Sequence, residues 1–180
     1  MKILICTIVR NAELTIQRWW ENVTKIATLY PEIEFSISVY ENDSVDNSKN
    51  LLTEVMKDSS AYFSETFLGL EDLQTDFYES VVDGVRVENL AKARNNCFDQ
   101  VKNLDEYDYV LSVEVDAHFT VSSLGLLFQK IGQWDILFMT IGLHALPIKK
   151  ICGIMKLQRV RLCSKVHYLP YILKLWFPIK

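Results

Sequence analysis

Short apolar runs rich in β-branched and aromatic residues alternate along this chain with stretches of helical period, and that alternation constrains its fold more than any other feature. Lys2–Val9, Phe35–Tyr40, Ala61–Phe67, Tyr107–Val115 and Trp134–Thr140 read as strands. Between the first two, Ile16, Trp19, Trp20, Val23, Ile26 and Ala27 recur at helical spacing up to about Leu29. Further helical patterns cover Asn47–Lys57, Arg86–Leu104 and Leu124–Ile131. Ser44 or Asp46 is available to cap the second helix, and Leu90, Ala93, Cys97 and Val101 share one face of the third. An acidic, weakly periodic loop spans 68–84. Strands alternating with helices build βαβ units, so the expected fold class is α/β with a mostly parallel central sheet. A chain of 180 residues is one domain with room for an appendage.

In such sheets, ligands bind beyond the carboxyl ends of the strands. Three expected strands end in polar clusters: Arg10-Asn11-Ala12-Glu13, Glu41-Asn42-Asp43 and Glu114-Val115-Asp116. Alternation turns Glu114 and Asp116 to the same side of the chain. Two close carboxylates repel each other, and a divalent cation relieves the repulsion; oxygen ligands suit Mg²⁺ or Mn²⁺. Each cluster also has an ordinary structural reading. Glu114 and Asp116 fit a solvated acidic loop, Glu41–Ser48 fits a capped turn, and Arg94 fits a surface ion pair. Three polar clusters on one edge favour a binding site over three separate turns.

Composition narrows the function classes. Apolar residues make up 49% and charged residues 23%, which excludes disordered and collagen-like chains. A net charge of −4 argues against nucleic acid as a partner. All 23 acidic residues lie in 1–145 beside 11 basic ones, whereas 146–180 carries eight Lys and Arg and no acid. Cys6, Cys97, Cys152 and Cys163 lack metal-ligand spacing and read as reduced thiols. The first residues lack a signal-peptide cleavage region, and the longest uncharged runs, Ile136–Ile148 among them, are short of the ~20 residues a membrane span needs. The expected location is therefore cytoplasmic.

A strand followed by RNAE, a strand ending ENDSVDNS, then RxxNLAKARN, then YDYVLSVEVD and a later WD strand resemble the nucleotide-sugar-binding half of GT-A fold glycosyltransferases. The wording is most similar to the cryptococcal capsular mannosyltransferase family, with related domains among glycosyltransferases of large algal viruses. The similarity covers about residues 2–140. It implies a Rossmann-like GT-A nucleotide-sugar-binding domain over 1–145, followed by a basic, apolar segment, 146–180. By the resemblance, Thr7, Val9 and Arg10 line the nucleotide pocket. Glu41 and Asp43 match the turn that contacts the nucleoside, and Arg94 and Asn95 match the segment near the nucleotide. Glu114 and Asp116 match the metal-binding D-x-D motif, which implies Mn²⁺ or Mg²⁺. Asp116 keeps the family's residue, whereas Glu114 replaces an Asp and leaves a ribose- or water-mediated role open beside direct coordination. Asp116, Glu114 and Arg94 would then carry the chemistry, stabilising charge as the sugar–phosphate bond breaks. The implied activity is metal-dependent transfer of a hexose, mannose by the family's name, from a GDP- or UDP-linked donor to a glycan or polysaccharide acceptor. The sequence does not identify the acceptor-activating base; Asp135 and His118 each have an ordinary structural reading.

The family's acceptor-binding half is longer than the 64 residues that follow Asp116. Three accounts of 146–180 stand side by side. Lys149, Lys150, Lys156, Arg159, Arg161 and Lys165 would face anionic head groups in a peripheral membrane contact, with Trp176 and Phe177 inserted. Alternatively the segment is a short acceptor half packed on the sheet. In the third account it results from truncation or a shifted reading frame, leaving a noncatalytic nucleotide-sugar-binding or interaction module. Other enzyme classes fit less well. A nucleotidyltransferase wants a glycine-rich basic loop that TIVRNAE lacks, and the first strand does not end in a phosphatase's aspartate nucleophile.

Overall fold

β1 (Lys2–Val9) is an inner strand of a four-stranded sheet, flanked by β2 (Glu34–Asn42) and β4 (Tyr109–Ser112), with β3 (Thr66–Glu71) outside β2. All three pairings are parallel, with Val9 opposite Glu41, Cys6 opposite Ser112 and Asn42 opposite Glu71. The computed structural model describes residues 1–77 and 84–128. The helices are α1 (Ile16–Leu29), α2 (Ser48–Val55), α3 (Gly84–Asp99) and α4 (Val121–Phe128). Among the described residues, no helix is long and apolar enough to cross a membrane.

Both faces of the sheet are covered. On one face, Ile3, Ile5, Val9, Phe35, Ile37, Val39 and Leu111 meet Ile16, Trp19, Trp20, Val23 and Ile26 of α1 and Leu52 of α2. On the other, Leu4, Cys6, Tyr40 and Val110 meet Ala93 and Cys97 of α3 and Val101 just after it. The architecture is thus three-layered and Rossmann-like. The apolar positions of α1 recur at three and four residues, so they form one stripe against the sheet. Trp19 is almost wholly buried there, and truncating such a residue costs about 3–5 kcal/mol. The helix stops at Tyr30, which precedes Pro31 and leaves the helical region with φ −122° and ψ 63°.

The small polar residues of β2 explain how close α3 sits. Ser38 is fully buried; its hydroxyl donates to the Cys97 carbonyl at 2.6 Å and accepts from Gln100 Nε2 at 2.7 Å. A Cβ added to Gly69 on β3 would lie 2.7 Å from Gln100 Oε1 and 2.8 Å from Tyr40 Cδ2. Neither neighbour can withdraw freely, since Tyr40 donates to Glu71 and accepts from Asn96, while Gln100 bonds to β2.

Several boundaries differ from the sequence expectation. The third strand is Thr66–Glu71 rather than Ala61–Phe67, because Ser59–Ala61 forms a 3₁₀ turn and Phe63 drops into the core against Trp20. Those aromatics serve packing, not the ladder. It follows that 68–71 belongs to a strand and not to the acidic loop. The fourth strand is Tyr109–Ser112 rather than Tyr107–Val115. Val113 N–H still donates to the Cys6 carbonyl, and the chain then turns, closed by Ala117 N–H on the Glu114 carbonyl. The third helix ends at Asp99 instead of Leu104, and the fourth begins at Val121 instead of Leu124. The strand expected at Trp134–Thr140, Asp135 and the whole of 146–180 lie outside the described residues.

Candidate ligand-binding cleft

Because every strand of the sheet points the same way, the loops after β1, β2, β3 and β4 all emerge at one edge. The first three each pass through a residue with positive φ: Asn11 (51°), Asp43 (60°) and Gln74 (56°). Asn and Asp tolerate that region best among residues with a Cβ. Here their side chains also join the loops. Asn11 N–H donates to Ser44 Oγ, and Asn11 Oδ1 accepts from Val45 N–H at 2.9 Å. Ala12 N–H donates to the buried Ser48 Oγ at 2.8 Å. Glu13 N–H donates to Asp46 Oδ2, while Glu13 Oε2 accepts from Asn47 N–H. The N-cap of α2 is Asn47 rather than Ser44 or Asp46, but from the position before it Asp46 Oδ1 accepts from Ser48 N–H, the first residue of α2, and so meets one of the helix's free donors. Burial opposes ionisation of Asp46, but hydrogen bonds from Ser48 and Glu13 outweigh it and hold the carboxyl below its usual range.

Asp43 repeats the device one loop further on. It accepts from Gln74 N–H at 2.8 Å, Thr75 N–H at 3.2 Å, the Thr75 hydroxyl and Asn42 Nδ2. Burial alone would raise its pKa; the bonds from Thr75, Asn42 and Gln74 reverse the shift and hold it well below the usual carboxylate range. Arg10 closes the same corner. Its Nη2 donates to the Thr75 carbonyl at 2.7 Å, and its Nη1 to Thr75 Oγ1 and the Asp76 carbonyl. Glu41, fully buried, accepts from Ser44 N–H and lies 3.8 Å from Lys49 Nζ.

These loops form one rim of a cleft of about 640 Å³, within the range of small-molecule sites. Its walls are Ile8–Thr15, Asn42, Asp46, Asp76 and Phe77, a face of α3, and Glu114–Asp116. From α3 come Arg86, Asn89, Leu90, Ala93 and Arg94, which recur at three- and four-residue steps. Arg94 Nη2 donates to Glu114 Oε1 at 2.7 Å, with the Arg94 side chain 19% and the Glu114 side chain 40% exposed. Asp116 is exposed on the same wall.

Of the residues singled out from sequence, Val9, Arg10, Arg94, Glu114 and Asp116 meet at the cleft. Thr7, Glu41, Asp43 and Asn95 do not line it. Thr7 is buried on the sheet face that carries Val9, Asn95 is exposed elsewhere on α3, and Glu41 and Asp43 lie beneath the rim and organise it. On β2 the cleft residue is Asn42 rather than Glu41. Arg86, Asn89, Asp76 and Phe77 were not singled out. For Arg86 and Asn89 a signal existed, since they stand eight and five residues before Arg94 on the same helical face. His118 is exposed and does not line the cleft.

Among the described residues, no group of three His, Cys, Asp or Glu is placed to hold a metal ion. Glu114 and Asp116 do fit the sparse kind of Mg²⁺ or Mn²⁺ site, in which one or two carboxylates hold the ion and substrate phosphates and water complete it. Within that pair Glu114 is engaged by Arg94, and among the described residues Asp116 makes no hydrogen bond or ion pair.

Comparison with solved structures gives S. aureus TarS 1–349, at 18% identity and a TM-score of 0.52, covering 82% of this chain and 38% of that one. A second structure of TarS 1–349, in complex with UDP, gives 18% identity and a TM-score of 0.48, covering 76% and 34%. At that identity the first likeness is one of fold. This chain spans little more than a third of the TarS chains it matches. No curated protein matches it. The sequence model of the family described as Cryptococcal mannosyltransferase 1 matches residues 2–142, which holds the entire sheet and cleft. The chain therefore belongs to the cryptococcal mannosyltransferase 1 family.

Proposed function

We propose that this chain binds a nucleotide-diphospho-sugar and transfers its hexose, mannose by family, to a glycan or polysaccharide acceptor. The observation that carries this reading is the juxtaposition of Arg94, Glu114 and Asp116 in a cleft at the carboxyl edge of a parallel sheet. Arg94 offers a fixed guanidinium to the diphosphate, and Glu114 orients it. Arg86 and Asn89 extend that polar wall along α3. As the sugar–phosphate bond breaks, negative charge grows on the leaving diphosphate, and a guanidinium already aimed at it needs no reorganisation. Mn²⁺ or Mg²⁺ held at Asp116, with Glu114 nearby, would supply further neutralisation of the same charge. The interlocked loops after β1, β2 and β3 fix their rim of the cleft before any ligand arrives, which lowers the ordering cost of binding. GDP- and UDP-linked donors are both candidates.

A noncatalytic nucleotide-sugar-binding module is the second reading. Calorimetry with UDP, GDP and GDP-mannose, with Mn²⁺ and with chelator, tests both. Metal-dependent binding that is lost in Asp116→Ala supports the donor site, and release of sugar then separates transfer from binding alone. A folded protein that binds none of these ligands would refute both readings.

A further inference from the structure

The strap that follows β3 runs to the cleft and presents Phe77 there, 64% exposed. A single exposed phenyl ring needs no explanation by itself. This one is set apart by where it stands and how it is held. Among the described residues it is the one aromatic side chain lining the cleft. The backbone leading to it is fixed by Asp43, which accepts from Gln74 and Thr75, and by Arg10, which donates to the carbonyls of Thr75 and Asp76. Gln74 takes a positive φ, a conformation disfavoured for its side chain, to make that approach. Finally, the Arg10 guanidinium lies over the Phe77 ring, 5.6 Å from its centroid.

We propose that Phe77 is the stacking platform for the nucleobase of the donor, with Arg10 as the backing that fixes its ring. The inference rests on the nucleotide-sugar reading above and adds a residue that would grip the base. The cation on one face makes the ring less attractive to the C–H groups of a sugar, which seek a negative π face. Stacking against a planar heterocycle depends chiefly on dispersion and contact area, and survives that polarisation. The same cleft carries Arg94 at its polar wall. A ligand that joins a flat ring to a diphosphate therefore finds a partner for each part.

The test compares UDP, GDP and inorganic pyrophosphate by calorimetry on the full chain, its Phe77→Ala variant and its Phe77→Trp variant. An exposed residue is a safe one to truncate, and circular dichroism confirms the fold. Phe77→Ala is expected to weaken UDP and GDP by at least about fivefold. It should leave pyrophosphate unchanged, and Phe77→Trp should retain nucleotide affinity. The new indole should also lose fluorescence on adding nucleotide and not on adding pyrophosphate. Equal losses for nucleotide and pyrophosphate, or no loss in Phe77→Ala, would overturn the platform while leaving the donor site standing. Failure of the unaltered chain to bind any nucleotide would overturn the functional reading and the platform with it.

Discussion

Asp43→Asn is the substitution that most directly tests how the cleft is held. The change keeps the size of the side chain and the tolerance for φ 60°. It replaces one carboxylate oxygen by an amide NH₂. Oδ2 takes three donors, Thr75 N–H, the Thr75 hydroxyl and Asn42 Nδ2, so the remaining oxygen keeps that side. The NH₂ then faces Gln74 N–H, donor against donor, where a 2.8 Å hydrogen bond stood. Losing one hydrogen bond to a charged group and leaving its donor unmet costs about 2–3 kcal/mol. Arg10, 4.0 Å from Oδ2 and only a quarter exposed, loses its nearby anion as well. Urea unfolding monitored by circular dichroism reads the loss as a lower midpoint with an unchanged slope. The pH dependence is a second signature. The folded carboxyl titrates below its usual 3.8, so between the two values the unfolded chain binds the extra proton and stability falls as the pH drops. The contribution of Asp43 is fully present above about pH 5 and is lost progressively below about pH 4. Asp43→Asn should therefore narrow the stability gap to the unaltered protein on acidification. An Asp43→Asn protein as stable as its parent at pH 7, with the same acid profile, would refute the argument that this carboxylate ties the loops.

Three further outcomes follow from the contacts described. Arg94→Ala should weaken nucleoside diphosphates by about tenfold or more in calorimetry, and Glu114→Gln should weaken them less, because it loosens the guanidinium without removing it. Gly69→Ala should destabilise the fold by about 1–3 kcal/mol in urea unfolding, since its methyl must displace Gln100 or Tyr40. Burial pushes the Cys6 thiol well above its usual pKa, and Cys97 is buried beside it. Both should resist iodoacetamide in the folded protein and become alkylated in urea, as mapped by peptide mass spectrometry.

The layered α/β architecture was legible because burial on each face leaves a period in the sequence. The stripe of Ile16, Trp19, Trp20, Val23 and Ile26 could be nothing but a helix face, and β1 could be bounded to the residue. Boundaries failed where a residue serves the core without joining a ladder, as Phe63 does. At the site, position at a strand end identified Arg10, Glu114 and Asp116, since a parallel sheet delivers all its carboxyl ends to one edge, whereas Arg94, on α3, was found through its match to the family's ARN segment. Which way a strand-end side chain turns was harder to read. Glu41 and Asn42 are neighbours, yet one is buried under the rim and the other lines the cleft. The cross-loop bonds of Asn11, Glu13, Asp46 and Asp43 left no local signal, because each partner lies more than thirty residues away.

The uniform direction of the strands also divides the labour between the two edges of the sheet. The edge opposite the cleft carries the entries to the strands, with Lys2 bonded to Asp108 and paired with Glu34 and Glu106. None of these residues lines the cleft. Changes there act on how firmly the sheet is assembled, whereas changes to the cleft-lining residues at the carboxyl edge act on what it grips. A tag, dye or surface tether attached at exposed Glu32 or Lys57 would therefore leave the gripping edge facing solution. The fold offers a handle on one side and a working surface on the other, so the chain can be immobilised for ligand screening in a known orientation.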